Sequence, residues 1–325
     1  MLTLLGSLLW LAADVPAMPP LREVIVPPAL RAVTSNPEFS GIAWCPPMKR
    51  YLVVTDDSGF HDKPSDHAPM LVALSEAGVL DETPVPIVGV KKLNDPESLC
   101  PGPGGTFFLV TSHSLNKKDE SHKSRRQLLH LAVEKRSLRV LGALDLSEAD
   151  NGKSLLETAG LPKDGRLDIE AITYRDHALF IGLKSPLTAD GRAVVLRLAN
   201  PEKNLKQGKY PASNLAVFAT YPLCVDVDGN KVCEGVSDLL FLHDGSLAVT
   251  ANAPKGGPKD KGGSLWRIPA PIKTATPELL YRFPGFKPEG VAYTPDQKEL
   301  IIVFDTDQET PRFTRVPRPG KEGPH

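Results

Sequence analysis

A basic excess, membrane-spanning runs and metal-ribbon cysteines are all missing from this chain. Thirty-eight Lys and Arg stand against 39 Asp and Glu, a net charge of −1, so no overall field draws the protein toward nucleic acid or an anionic membrane. None of the four cysteines belongs to a Cys-x-x-Cys pair, which argues against a zinc ribbon. The apolar opening stretch, Leu2–Ala13, is too short to cross a bilayer. Neither a Walker nor a Rossmann glycine pattern occurs, and Pro101-Gly-Pro-Gly-Gly reads as a turn between two strands. Without a Gly-x-Ser-x-Gly elbow, a serine-hydrolase triad has no support in the spacing. Helices longer than about three turns are also missing, the best helical candidate being Ser154–Gly160 with its closing glycine.

What the chain does hold is turn-forming residues, 32 prolines and 26 glycines. Proline is excluded from central strands, so this supply points to many short strands joined by turns. A phrase recurs five times: Ser40-Gly-Ile-Ala-Trp, Glu97-Ser-Leu-Cys, Glu170-Ala-Ile-Thr-Tyr, Glu234-Gly-Val-Ser-Asp and Glu289-Gly-Val-Ala-Tyr. Each leads through a turn to an apolar run: Tyr51–Thr55, Phe107–Thr111, Leu179–Leu183, Leu247–Thr250 and Leu300–Phe304. Regular recurrence of such a unit is the signature of a radially repeated all-β fold. The last repeat is short of strands, with only Phe313–Val316 after it, while Arg22–Val26 and Leu30–Thr34 precede the first repeat unpartnered. Joining the two ends in one blade closes the ring and removes exposed edges. The expectation is a β-propeller of five blades; the long interval between Glu97 and Glu170 leaves six open. Residues 22–316 form this single domain, and 317–325 a disordered tail.

Val15 and Ala17 fit a signal-peptidase site after Ala17, although no basic residue precedes the apolar stretch. Residues 1–17 are therefore read as a signal peptide, and the protein as periplasmic or secreted, without a membrane span in its mature chain and monomeric. Cys224 and Cys233 flank a hairpin turning at Asp228-Gly229; a cross-strand disulfide and two merely neighbouring thiols are both open. Cys45 and Cys100 read as buried thiols. Asp226-Val-Asp-Gly-Asn resembles the start of a calcium loop, but the hairpin accounts for it better.

Strand order places the residues that open each first strand and those that close the second on one face of the ring. The openers are Ser40, Glu97, Glu170, Glu234 and Glu289; the closers include Asp56-Asp57, Ser112-His113-Ser114, Lys184-Ser185, Asn252, and Asp305 with Asp307. Several unpaired carboxylates in one narrow mouth repel one another, and a hard divalent cation would relieve them. The bland alternative is a structural ring in which each glutamate caps its blade. Loops of the same face divide by charge: Asn116–Arg126 and Lys255–Lys261 are basic, Asp56–His67 and Asp305–Arg312 acidic. His61, His67, His113 and His122 also fall there, and His113 at a strand end is the candidate acid–base group.

Pro-Glu-Gly-Val-Ala-Tyr, Asp-Ile-Glu-Ala-Ile-Thr-Tyr with Gly-Leu-Lys-Ser-Pro, and Phe-Ser-Gly-Ile-Ala-Trp resemble a bacterial β-propeller family of unknown function. That family is distantly similar to the phytase-like esterase and SdiA-regulated propellers. The resemblance covers roughly residues 36–316. It implies calcium-dependent phosphoester hydrolysis, with Glu97, Glu170, Glu234 and Glu289 matching the acidic strand-openers and Asp56, Asn252 and Asp305 the polar closers. Ser40 departs from the pattern, and a full phytase signature is missing. The functional expectation is thus metal-assisted hydrolysis of a small anionic ester, most plausibly a phosphoester. Ca²⁺ or another divalent ion would sit on those seven residues, with His113 and Lys184 as proton-transfer and anion-binding groups. A non-catalytic ligand- or protein-binding propeller is the alternative.

Overall fold

Five four-stranded antiparallel groups are arranged around one axis in the computed structural model, which describes residues 17–34, 37–56, 58–61, 63–116, 118–163, 165–254, 262–306 and 310–320. Blade 1 comprises Phe39–Cys45, Arg50–Thr55, Met70–Leu74 and Val85–Val88; blade 2 comprises Pro96–Pro101, Phe107–Thr111, Leu128–Glu134 and Ser137–Leu144. Blade 3 comprises Asp168–Arg175, Ala178–Ser185, Ala193–Ala199 and Leu215–Tyr221, and blade 4 Gly235–Phe241, Leu247–Asn252, Gly263–Ile268 and Glu278–Phe283. Blade 5 takes Lys287–Tyr293, Glu299–Asp305 and Arg312–Pro317 from the C-terminal end and Arg22–Glu23 from the N-terminal end. The first strands pack side by side in cyclic order, blade 5 returning to blade 1. The chain is a β-propeller, closed by pairing Arg22 with Phe313 and Glu23 with Arg312.

Buried side chains fall into five clusters, one between each pair of neighbouring blades. Leu99, Phe107 and Leu129 meet Leu52 and Leu71 between blades 1 and 2, for example, and Phe283 meets Phe304 between blades 4 and 5. Alternation along each strand sends apolar residues to both faces of the blade, because both faces are covered. The outer strands of blades 1 and 2 also pair in parallel, Ile87 with Leu138, so one blade edge covers another.

Every first strand carries a register shift near its start, at 39–42, 96–98, 169–171, 236–238 and 288–290. A bulge leaves one residue unpaired and re-aims its side chain. The small residue beside it answers to crowding at the axis. A Cβ on Gly41 would lie 2.7 Å from the Glu97 carbonyl, and one on Gly290 3.0 Å from the Ile42 nitrogen. The recurring phrase in the sequence thus has a steric origin.

The interval between Glu97 and Glu170 is filled by the long outer strands of blade 2 and a helical turn, Leu155–Thr158, opened by a Ser154/Glu157 capping box. Leu30–Thr34 differs from the strand expected: Pro28–Arg31 is one helical turn with Leu30 buried, started by a proline whose fixed φ suits a first turn. Pro201–Gln207, a short helix opened by proline and closed by Gly208 at φ 66°, was not anticipated. Among the described residues no helix is long and apolar enough to cross a membrane. Of the expected leader, residues 1–17, all but Ala17 lie outside the described residues, and residues 321–325 of the tail lie outside as well.

Cys224 and Cys233 are register partners across a hairpin and form a disulfide, while Cys45 and Cys100 are free and buried. Denatured but unreduced protein should therefore titrate two reactive thiols, Cys45 and Cys100; four would show that the bridge does not form.

Candidate functional site

At one mouth of the ring each blade contributes its bulged residue and the residue that closes its second strand. In blade 1 the Ser40 hydroxyl donates to Asp56. In blade 3 the Lys184 ammonium donates to both oxygens of Glu170, at 2.9 and 2.8 Å, and stands 3.6 Å from Glu289. In blade 4 the Asn252 amide donates to Ser237 at 2.7 Å. Blade 5 sets Glu289 near Asp305, which accepts from Lys287 at 2.7 Å. Blade 2 differs: Glu97 is only 6% exposed, and the charged groups acting on it are other carboxylates, Asp56 and Asp95 first.

The electrostatics follow from this crowding. Burial pushes Glu97 well above the carboxylate range, and Asp56, Asp95, Glu170 and Asp168 push it further. Asp56 is raised by burial and then by Asp95 and Asp305. Burial alone would lower Lys184, but Glu170 and Glu289 outweigh it and hold the ammonium charged. One ammonium balances one carboxylate. Accordingly Glu170 is raised by burial, opposed by Lys184, to about 7, and Glu289, likewise buried and opposed by Lys184, to about 8. Carboxylate oxygens of Glu97, Asp168 and Glu170 lie within 4.8 Å of one another. This is an all-oxygen donor set supplied by two adjacent blades, suited to a hard cation.

Asp168 and Asp95 were not among the expected site residues. Each precedes a bulged glutamate by two positions, so a strand's period of two returns them to the mouth. Asp95 accepts from Arg125, which therefore turns inward rather than serving as a free basic loop residue.

Three expectations need correction. Glu234 is not the fourth member of the ring: the bulge of blade 4 falls at Ser237, between the pairs Val236–Ala251 and Asp238–Thr250. Glu234 instead is fully buried, accepting from Trp266 at 3.3 Å and Arg282 at 3.2 Å. Counting to the turn reveals the offset. Glu97 to Pro103, Glu170 to Asp176 and Glu289 to Pro295 each span six positions, as does Ser237 to His243.

His113 does not offer a free ring to the channel, since its Nδ1 meets the Thr111 carbonyl at 2.8 Å and its Nε2 accepts from the Leu146 amide at 3.3 Å. Burial lowers its pKa to about 4. Nor is Lys184 a free anion-binding group, because Glu170 and Glu289 occupy it. Asp57, Lys117, Asp307 and the Lys255–Lys261 loop lie outside the described residues.

The His113 environment carries a pH consequence. The folded pKa lies below the ordinary value of 6.5, so the unfolded chain binds more protons between the two values. The stability linked to this ring is complete above about pH 6.5 and is lost as pH falls toward about 4. The stability difference between wild type and His113→Asn, read by urea denaturation, should shrink by about 2 kcal/mol from pH 7 to pH 5. An unchanged difference would contradict the buried neutral ring.

Beside the mouth, a cleft of about 490 Å³ at the rim of blades 1 and 2 is lined by Lys91, Lys92, Lys123 and Arg126, with Asp145 the one acid. Arg126 is 3.3 Å from Asp145, which leaves the three lysines to set the sign of the cleft.

No family model matches the chain, and no curated protein matches it. Among solved structures, a gluconolactonase of Xanthomonas campestris is similar at 10% identity with a TM-score of 0.43, covering 93% of this chain and 96% of that one. The glutaminyl cyclase of Myxococcus xanthus is similar at 12% identity and a TM-score of 0.44, covering 87% and 92%. The RRP9 WD40 repeats are similar at 8% identity and 0.43, covering 92% and 99%. Likeness at this level carries no inference about the chemistry of this chain.

Proposed function

We propose that the acidic mouth holds a divalent cation, Ca²⁺ by its all-oxygen donors, on Glu97, Asp168 and Glu170, and that the protein hydrolyses a small anionic ester there, most plausibly a phosphoester. The observation that carries the reading is Glu97, a buried carboxylate set among four other acids that all push it toward the protonated form. Leaving such a group unmatched is costly, and a cation removes the cost. When bound, the ion would polarise the scissile group and activate water. Lys184 positions Glu170 by clasping both its oxygens, and Glu289 across that lysine is the carboxyl group left to handle a proton. Lys91, Lys92 and Lys123 supply the positive field that would draw an anionic substrate to the rim. The disulfide fits an oxidising compartment, in keeping with export.

Purified protein should hydrolyse p-nitrophenyl phosphate or a related phosphoester only with Ca²⁺ present. Glu97→Gln should lower that rate by about 100-fold or more, the scale of lost electrostatic stabilisation at one site. Calcium-independent turnover, or an undiminished rate in Glu97→Gln, would overturn the mechanism. A binding propeller remains the second reading, favoured by one observation: the pairs Ser40–Asp56, Glu170–Lys184 and Ser237–Asn252 are satisfied internally, as a structural ring requires.

A further inference from the structure

The opposite mouth of the ring is built from different chemistry. The first strands leave the acidic mouth and end at residues such as Trp44, Leu240 and Tyr293, which surround a cavity of about 450 Å³. Its size falls within the roughly 300–1,000 Å³ of small-molecule sites. Ile42, Trp44, Phe107, Leu240 and Tyr293 make its walls predominantly apolar and aromatic.

Asp238 is the one charged residue among the described residues that line it; no Lys, Arg or His does. This carboxylate is 2% exposed and joins blades across the axis. It accepts from the Ser98 hydroxyl at 3.0 Å, the Leu239 amide at 2.9 Å and the Val291 amide at 2.9 Å. All three partners donate to the carboxylate and so favour its ionised form, while burial acts the other way and holds its pKa well above the usual carboxylate range. They are also neutral, so an ionised Asp238 has hydrogen bonds but no counter-charge at the site, and a cation bound in the cavity would supply one.

We propose that this cavity is a second binding site, separate from the acidic mouth, for a small hydrophobic amine: a primary ammonium on an aryl or alkyl body. The apolar body would be buried against Ile42 and Leu240, and the ammonium would meet the Asp238 carboxylate between aromatic faces, which attract a desolvated cation. An uncharged ligand of the same shape gains the burial and forgoes the charge pairing. An anionic one is repelled.

The test uses the full chain and a matched pair of probes, 4-phenylbutylamine and 4-phenylbutan-1-ol, titrated by calorimetry and by Trp fluorescence. The expected result is one saturable site for the amine, with the alcohol weaker by about tenfold or more. Leu240→Arg places a like charge in the wall at a half-buried position, and should weaken the amine by at least the same factor while the melting temperature stays near wild type. Lys203→Met, at an exposed position of the Pro201–Gln207 helix and away from both mouths, should leave amine binding unchanged. The proposal is overturned if neither probe binds saturably, if the alcohol binds as tightly as the amine, or if folded Leu240→Arg binds the amine like wild type. Should Leu240→Arg fail to fold, Gln297→Lys, at an exposed position lining the same cavity, replaces it with the same expectation.

Discussion

Replacing Lys184 with methionine is expected to cost about 3–5 kcal/mol of stability at pH 8 without added metal, the scale for removing one partner of a buried ion pair. The ammonium is clasped by both oxygens of Glu170 and faces Glu289 at 3.6 Å, with all three side chains largely buried. Methionine preserves the length and apolar stem of the side chain, so the loss isolates the charge. The sign of the pH dependence follows from the glutamates. Both already have raised folded pKa values, about 7 and about 8, and losing Lys184 raises them further. Protonation then relieves the uncompensated charge, so the deficit of the variant should shrink as pH falls from 8 toward 5. Calcium adds a second signature. With the competing ammonium gone, the ion should stabilise Lys184→Met more than wild type. Urea denaturation at the two pH values, with and without Ca²⁺, reads both effects. A variant as stable as wild type at pH 8 would show that the clasp does not hold the ring together.

Gly235→Val is expected to be at least as damaging, for a reason that involves no charge. A Cβ at this position would lie 2.1 Å from the carbonyl oxygen of Lys184 and 2.6 Å from its Cα. Both are backbone atoms of the neighbouring blade and cannot swing away like a side-chain tip. The blades must separate or the second strand of blade 3 must shift, carrying Lys184 from Glu170. Overpacking costs about 1–3 kcal/mol where side chains can adjust, and a backbone clash at the axis belongs at or above the top of that range. The expected result is a loss of about 3 kcal/mol or more in denaturant unfolding, or failure to accumulate folded protein. Gly235→Ala should show the same effect in reduced form. A normal unfolding midpoint for Gly235→Val would mean that the inner strands are less tightly packed than described.

The propeller was legible because a polar opener, a turn and an apolar strand recur in every blade, with a small residue following the opener in four of the five. The closure was legible for a related reason, since Phe313–Val316 and the N-terminal segment each lacked a partner. The site was readable only in part. Glu97, Glu170 and Glu289 stand at the bulges where the repeat placed them. Glu234 matched the phrase by composition, but the register of blade 4 is set three positions later, by the distance from Ser237 to its turn. Asp168 and Asp95 were hidden because they precede the repeat, and only the strand's alternation returns them to the mouth. His113 looked reactive from its place at a strand end. Its ring is consumed by the Thr111 carbonyl and the Leu146 amide, partners that tertiary packing supplies and local sequence does not show. The cavity around Asp238 had no sequence signal either, since its walls come from all five first strands.

The central claim is that Glu97, Asp168 and Glu170 hold a divalent cation, and a calcium titration of wild type and Glu97→Gln tests it most directly. Calorimetry on metal-stripped protein, paired with thermal melts, should show one saturable site in wild type and a melting temperature that rises with Ca²⁺. In Glu97→Gln the metal-free protein should melt higher than metal-free wild type, because one member of a repelling buried cluster has been neutralised, and calcium should then move it little. A wild type that binds no calcium, with a Glu97→Gln variant that melts lower than its parent, would contradict the account and make Glu97 a structural member of the ring.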